Sequence, residues 1–179
     1  MKQLNYLSSM LLTLFVSMLP FGKTVAQEAY VHYDNNGTLT FYYDNNRSSR
    51  SGTTYNLNKD YRDVGWYNDG TYKEVTEVVF DDSFKDARPT TMSCWFRFME
   101  KLQSIKGMDE NLNTSEVTSM SSLFQQCKAL KTIDVSRFDT RKVTNMSSMF
   151  MWCSGLERLN VTSFDTQNVT EMDFMFYDC

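Results

Sequence analysis

The sequence predicts an α/β repeat protein. Each coil is expected to hold a short strand and a short helix, and the coils to wind into a right-handed solenoid behind an N-terminal β-hairpin cap. Three observations predict this. Val117, Val143 and Val169 recur every 26 residues, together with Met120, Met146 and Met172. Within each unit the apolar residues fall into a helix-spaced stripe followed by a strand-like one. Ahead of the repeats lies an aromatic segment built around Asn36-Gly37. A fixed period in the twenties marks units that each bury an apolar face against a neighbour.

The helical element comes first. Met146, Met149, Phe150 and Cys153 lie at i, i+3, i+4 and i+7, as do Met120, Leu123, Phe124 and Cys127. That spacing places four side chains on one helical face. Thr and Ser at the start of each stripe suit a helix N-terminus. Helices are therefore expected near 93–102, 119–128, 145–153 and 171–178.

The strand element follows. Leu156, Leu159 and Val161 in LERLNV give the pattern L-x-x-L-x-L, which makes each coil leucine-rich-repeat-like. Strands are expected near 75–80, 105–109, 130–135 and 156–161. The first units are degraded: Ile105, Met108 and Asp109 align with Leu130, Ile133 and Asp134 only after a one-residue deletion.

The cap is a separate pattern. YVHYDNNGTLTFYYDNN reads as two strands around an Asn-Gly turn. RSSRSGTT after it reads as a loop. Eight of the ten Tyr fall between residues 30 and 72, so this segment is expected to cover the open end of the first repeat.

The expected domain order is a signal peptide over 1–26, an aromatic β cap over 27–73 and a repeat region over 74–179. The repeat region divides into a degenerate part (74–114), regular units at 115–140 and 141–166, and an incomplete unit at 167–179. The signal assignment rests on Lys2, the apolar run LSSMLLTLFVSML and the small residues Thr24-Val25-Ala26. The run is short for a membrane span, and no other stretch of the chain could cross one after cleavage. Cleavage removes Lys2 and Lys23 and takes the net charge from −4 to −6. An acidic chain with no basic cluster is poorly suited to nucleic acid. The last unit stops at Cys179 with no strand written after its stripe, which predicts a longer array or an end-to-end dimer.

At these positions the chain resembles a known family. The string V-T-x-M-x-x-M/L-F-x-x-C-x-x-L-x-x-L/I-D/N-V-S/T-x-F-D-T, over roughly residues 90–179, is similar to the BspA-type leucine-rich repeats of bacterial surface proteins. The resemblance implies a secreted or cell-surface protein used in adhesion to host matrix or cell-surface proteins. It brings no catalytic residues. Glu110 at an inward strand position and Arg88-Pro89 in the first connection depart from the pattern.

Candidate chemistry is sparse. Cys127, Cys153 and Cys179 share one repeat position. Their spacing lacks the paired C-x-x-C of a zinc site and predicts buried thiols, with a disulfide between neighbours left open by secretion. His32 is the lone histidine, so no Ser-His-Asp set can form around a second one. DNNG at 34–37 lacks the ligand spacing of a calcium loop. No enzyme activity, cofactor or metal is expected. The exposed strand positions Lys131, Thr132, Asp134, Glu157, Arg158 and Asn160 are the candidate binding residues, facing an extracellular protein partner. A glycan partner on the Tyr/Trp-rich cap, at Tyr33, Tyr42, Tyr43, Trp66 or Tyr67, is the alternative.

Overall fold

The computed structural model describes residues 26–60 and 63–179. The expected signal peptide therefore lies outside the described residues except for Ala26.

The Asn36-Gly37 signal produces a hairpin. Strands β1 (Glu28–Tyr33) and β2 (Thr38–Asp44) pair antiparallel, with Tyr33 opposite Leu39 and Glu28 opposite Asp44. The Asp34 carboxylate sets the turn by accepting from the N–H groups of Asn36 (2.7 Å) and Thr38 (3.0 Å). Asn35 and Gly37 take positive φ, which Asn and Gly tolerate best.

The hairpin is the centre of one mixed five-stranded sheet in the order β3-β1-β2-β4-β5. β3 (Thr53–Asn56) pairs antiparallel with β1. β4 (Glu77–Phe80) runs parallel to β2, and β5 (Ser104–Lys106) runs parallel to β4. The Gly37 carbonyl accepts from the N–H groups of Thr76 (2.9 Å) and Glu77 (3.2 Å) and so aligns the start of β4 on the hairpin. Among the described residues two four-residue α-helices, α1 (Gly65–Asn68) and α2 (Met108–Asn111), and three short 3-10 helices complete the regular structure.

This corrects the expected fold class. The α/β leucine-rich-repeat-like right-handed solenoid, with a strand and a helix in every coil, is not what the chain builds. None of the four expected repeat helices forms: residues 93–98, 121–126, 147–152 and 173–178 are turns. The expected strands at 130–135 and 156–161 reduce to a single parallel bridge between Thr132 and Arg158.

The physical reason lies in the backbone. An α-helix needs negative φ at every residue and sends each N–H to the fourth carbonyl behind it. Here Ser122 and Gln126 have φ of 55° and 61°, and Ser148 and Trp152 have 57° and 59°. The N–H groups of Met120, Ser122, Phe124 and Gln126 point sideways, to the carbonyls of Asn145, Ser147, Met149 and Met151 at 2.8–2.9 Å. The residues between them close three-residue turns, such as Leu123 N–H to the Met120 carbonyl at 3.2 Å. The same exchange joins residues 92–98 to 119–125, and 146–152 to 171–177.

The stripe spacing nevertheless marks the buried side chains. Met146, Met149, Phe150 and Cys153 are fully buried, like Met120, Leu123, Phe124 and Cys127. The Phe rings of successive units stack, Phe96 on Phe124 at 5.4 Å, Phe124 on Phe150 at 5.5 Å and Phe150 on Phe176 at 5.8 Å. At the sheet this row meets an aromatic cluster around Phe41, whose ring lies 4.7 Å from Phe80 and 4.9 Å from Trp95. Sheet and repeats thus share one continuous core.

Candidate functional site

The repeated polar residues first account for themselves as structure. Thr144 sends its hydroxyl to the Thr118 carbonyl at 3.2 Å, and Thr170 does the same to Thr144. The Thr140 hydroxyl donates to the Asp165 carbonyl (3.0 Å) and accepts from the Asp165 N–H (2.7 Å). Asp139 and Asp165 each accept from the N–H two residues on, in Asx turns. These residues recur because the next unit needs them.

The cysteines are likewise structural. All four are free thiols. The Cys127 Sγ donates to the Phe96 carbonyl at 3.2 Å and the Cys153 Sγ to the Phe124 carbonyl at 2.9 Å. Burial pushes the Cys127 thiol well above its ordinary value and the Cys153 thiol up to about 12. Buried neutral thiols of this kind are poor nucleophiles and poor metal ligands. Among the described residues no group of three His, Cys, Asp or Glu could hold a metal ion. His32 is engaged through Nε2 with the Ser51 carbonyl at 2.6 Å.

What remains is a groove of about 760 Å³ along the second half of the units. Ile105, Met108, Ile133 and Leu159 form its apolar floor. Thr132, Asp134, Arg158 and Asn160 line it with polar groups, joined by Asp109 from the first turn of α2. The bridge between Thr132 and Arg158 sets the register that brings these side chains together. All six candidate binding residues are exposed, and the structure gathers four of them here. Lys131 and Glu157 do not line the groove, although the Glu157 N–H donates to the Lys131 carbonyl at 3.0 Å.

Two of the four have part of their capacity taken. Asp134 accepts from the Ser136 N–H at 2.9 Å, and hydrogen bonds from Ser136 hold its carboxyl below the ordinary carboxylate range. Asn160 accepts through Oδ1 from the Thr162 N–H (3.0 Å) and hydroxyl (2.7 Å). Among the described residues Arg158 forms no ion pair, so its guanidinium is available to an incoming group. Asp109 is the lining residue the sequence reading left out. Its signal was the register that aligns Met108-Asp109 with Ile133-Asp134.

The groove thus presents an apolar floor rimmed by a few polar side chains. The chain belongs to the family described as "Mycoplasma protein of unknown function, DUF285", whose model matches residues 90–179. No curated protein and no solved structure matches the chain. Among the described residues no helix is long and apolar enough to cross a membrane.

Proposed function

We propose that this is a secreted or cell-surface protein that binds other extracellular proteins without catalysis, in an adhesive role, through the groove over Thr132, Asp134, Arg158 and Asn160. Within its family we place it with the BspA-type bacterial surface proteins, on the strength of the V-T-x-M…F-x-x-C string in register across units. The observation that carries the reading is the groove. It offers apolar floor, hydrogen-bonding side chains and an unpaired guanidinium over a continuous surface, the mixture that protein interfaces use. Host matrix or cell-surface proteins are the partner class.

A glycan partner on the Tyr/Trp-rich cap draws less support. Trp66 is fully buried, with its Nε1 donating to the Trp95 carbonyl at 2.7 Å, and the Arg50 guanidinium covers the Tyr42 ring at 3.4 Å.

The test is an array of extracellular-matrix proteins probed with the secreted chain. Retention on at least one matrix protein is expected. Arg158→Ala combined with Asp134→Ala should weaken it at least tenfold while leaving the fold intact by circular dichroism. Retention unchanged by that double substitution moves the surface elsewhere.

A further inference from the structure

The turn segments present a second surface, distinct from the groove. Phe98, Gln126 and Trp152 occupy one position in successive units, the residue with positive φ that closes each turn segment. The Phe98 N–H donates to the Gln125 carbonyl at 2.7 Å and the Gln126 N–H to the Met151 carbonyl at 2.8 Å, so the three side chains stand on adjacent rungs. All three are partly exposed.

Two hollows flank Gln126. One, of about 540 Å³, is lined by Tyr72 and Phe98; the other, of about 330 Å³, by Trp152. Gln126 lines both, so an occupant of one can continue into the other. The aromatic walls are braced. Tyr72 stacks on Tyr67 at 4.8 Å, Tyr67 lies 6.0 Å from Phe98, and the Arg97 guanidinium lies 4.4 Å from the Phe98 ring. Trp152 meets Tyr177 edge-on at 6.3 Å.

Across the two hollows the lining charges balance, Lys73, Lys101 and Lys128 against Glu74, Glu100 and Asp178. Lys101 pairs with Glu74 and Lys128 with Glu100, both at 2.8 Å. The linings therefore carry no net positive charge to favour a polyanion. Fixed aromatic faces with an amide between them suit a neutral, hydroxyl-rich chain. The C–H faces of a sugar ring lie against the electron-rich ring faces, and its hydroxyls reach the amide and the paired charges. The step between rungs, seen in the 5.4–5.5 Å spacing of the Phe rings, is comparable to the length of one sugar residue along a glycan.

We propose that the row Tyr72–Phe98–Gln126–Trp152 is a binding site for a neutral oligosaccharide laid across successive units. This site is independent of the protein-binding groove.

Native affinity electrophoresis of the secreted chain tests it, in gels containing hydroxyethyl cellulose, mixed-linkage β-glucan, mannan or xylan, with heparin as the anionic comparison. Retardation is expected in at least one neutral gel. Phe98→Asn and Trp152→Asn, which keep a residue that tolerates positive φ, should each weaken it at least tenfold. Gln126→Arg, which leaves both aromatic walls in place, should do the same. Arg158→Ala in the groove should leave retardation unchanged. Mobility unaltered in every neutral gel, retardation by heparin alone, or retardation that survives all three substitutions in folded protein overturns the proposal.

Discussion

The two ends of the row of units are built differently. At the N-terminal end the segment between β3 and β4 supplies a lid: Trp66 Nε1, on α1, donates to the Trp95 carbonyl at 2.7 Å, Asn58 Nδ2 to the Ser93 carbonyl at 3.3 Å, and Trp95 Nε1 to Asn58 Oδ1. Trp66, Trp95 and Phe96 are fully buried there. At the other end the same repeat positions stand open. Phe124 and Phe150 are 0 % exposed while Phe176 is 49 % exposed; Met120 and Met146 are 0 % exposed while Met172 is 42 % exposed. Identical residue types in identical register thus carry different burial according to what lies beside them. A repeat position has no energy of its own; its neighbours give it one.

The largest expected effect tests that statement directly. Phe124→Ala should destabilise the protein by about 3–5 kcal/mol, because it opens a cavity between two stacked rings. Phe176→Ala should cost about 1 kcal/mol, since half of that ring is already in water. Chemical denaturation of the two variants against the parent chain measures both, and equal losses would break the contrast between the ends.

Next in size is an alkaline transition at the covered end. Burial, the first cause, raises Tyr30 and Tyr55 from 10.0 to about 12. The Tyr30 hydroxyl donates to Asp44 Oδ1 at 2.6 Å and the Tyr55 hydroxyl to Asp69 Oδ2 at 2.7 Å, which also favours the protonated phenols. The folded chain holds these protons more tightly than the unfolded chain. Their contribution is therefore complete below pH 10 and fades as pH rises through about 12. Denaturation midpoints measured across that window should fall, and Tyr30→Phe with Tyr55→Phe should flatten the fall.

The smallest effect concerns the backbone all units share. Ser148 holds φ 57°, a strained region for a residue with a Cβ. Ser148→Gly should relieve the strain and lose part of the gain to unfolded-state entropy, for a net stabilisation of about 0.5 kcal/mol. Thermal denaturation checks the sign. A loss of stability there would mean that the Ser148 side chain contributes more than its backbone strain costs.

These tests turn on a distinction the sequence made only in part. The spacing of Met146, Met149, Phe150 and Cys153 identified side chains that are all buried. It could not identify the conformation that buries them, because a helix and a run of sideways-bonded turns both bring i, i+3, i+4 and i+7 inward. What separates the two is positive φ at Ser122, Gln126, Ser148 and Trp152, residue types with no glycine to announce it. It also depends on carbonyls supplied by a unit 26 residues away, which local propensity does not register. The same limit hid β3, whose Thr53-Thr54 was read as the end of the RSSRSGTT loop. Of the candidate binding residues, Thr132, Asp134, Arg158 and Asn160 converge because the parallel bridge fixes their register. Lys131 and Glu157 share their exposure and not their direction. The turn-closing row at Phe98, Gln126 and Trp152 escaped notice because the position varies freely between units.

The sideways hydrogen bonds also give the molecule an electrical sense. Within the turn segments every main-chain bond between units runs from the earlier N–H to the later carbonyl, so the peptide dipoles add along the row. The carbonyl-bearing end is the one closed by the indole N–H of Trp66 and the amide N–H of Asn58, donors matched to acceptors. The opposite face, around Phe174 and Phe176, carries the positive pole. Each turn segment therefore turns carbonyls toward the sheet and N–H groups away from it, which gives the row a direction.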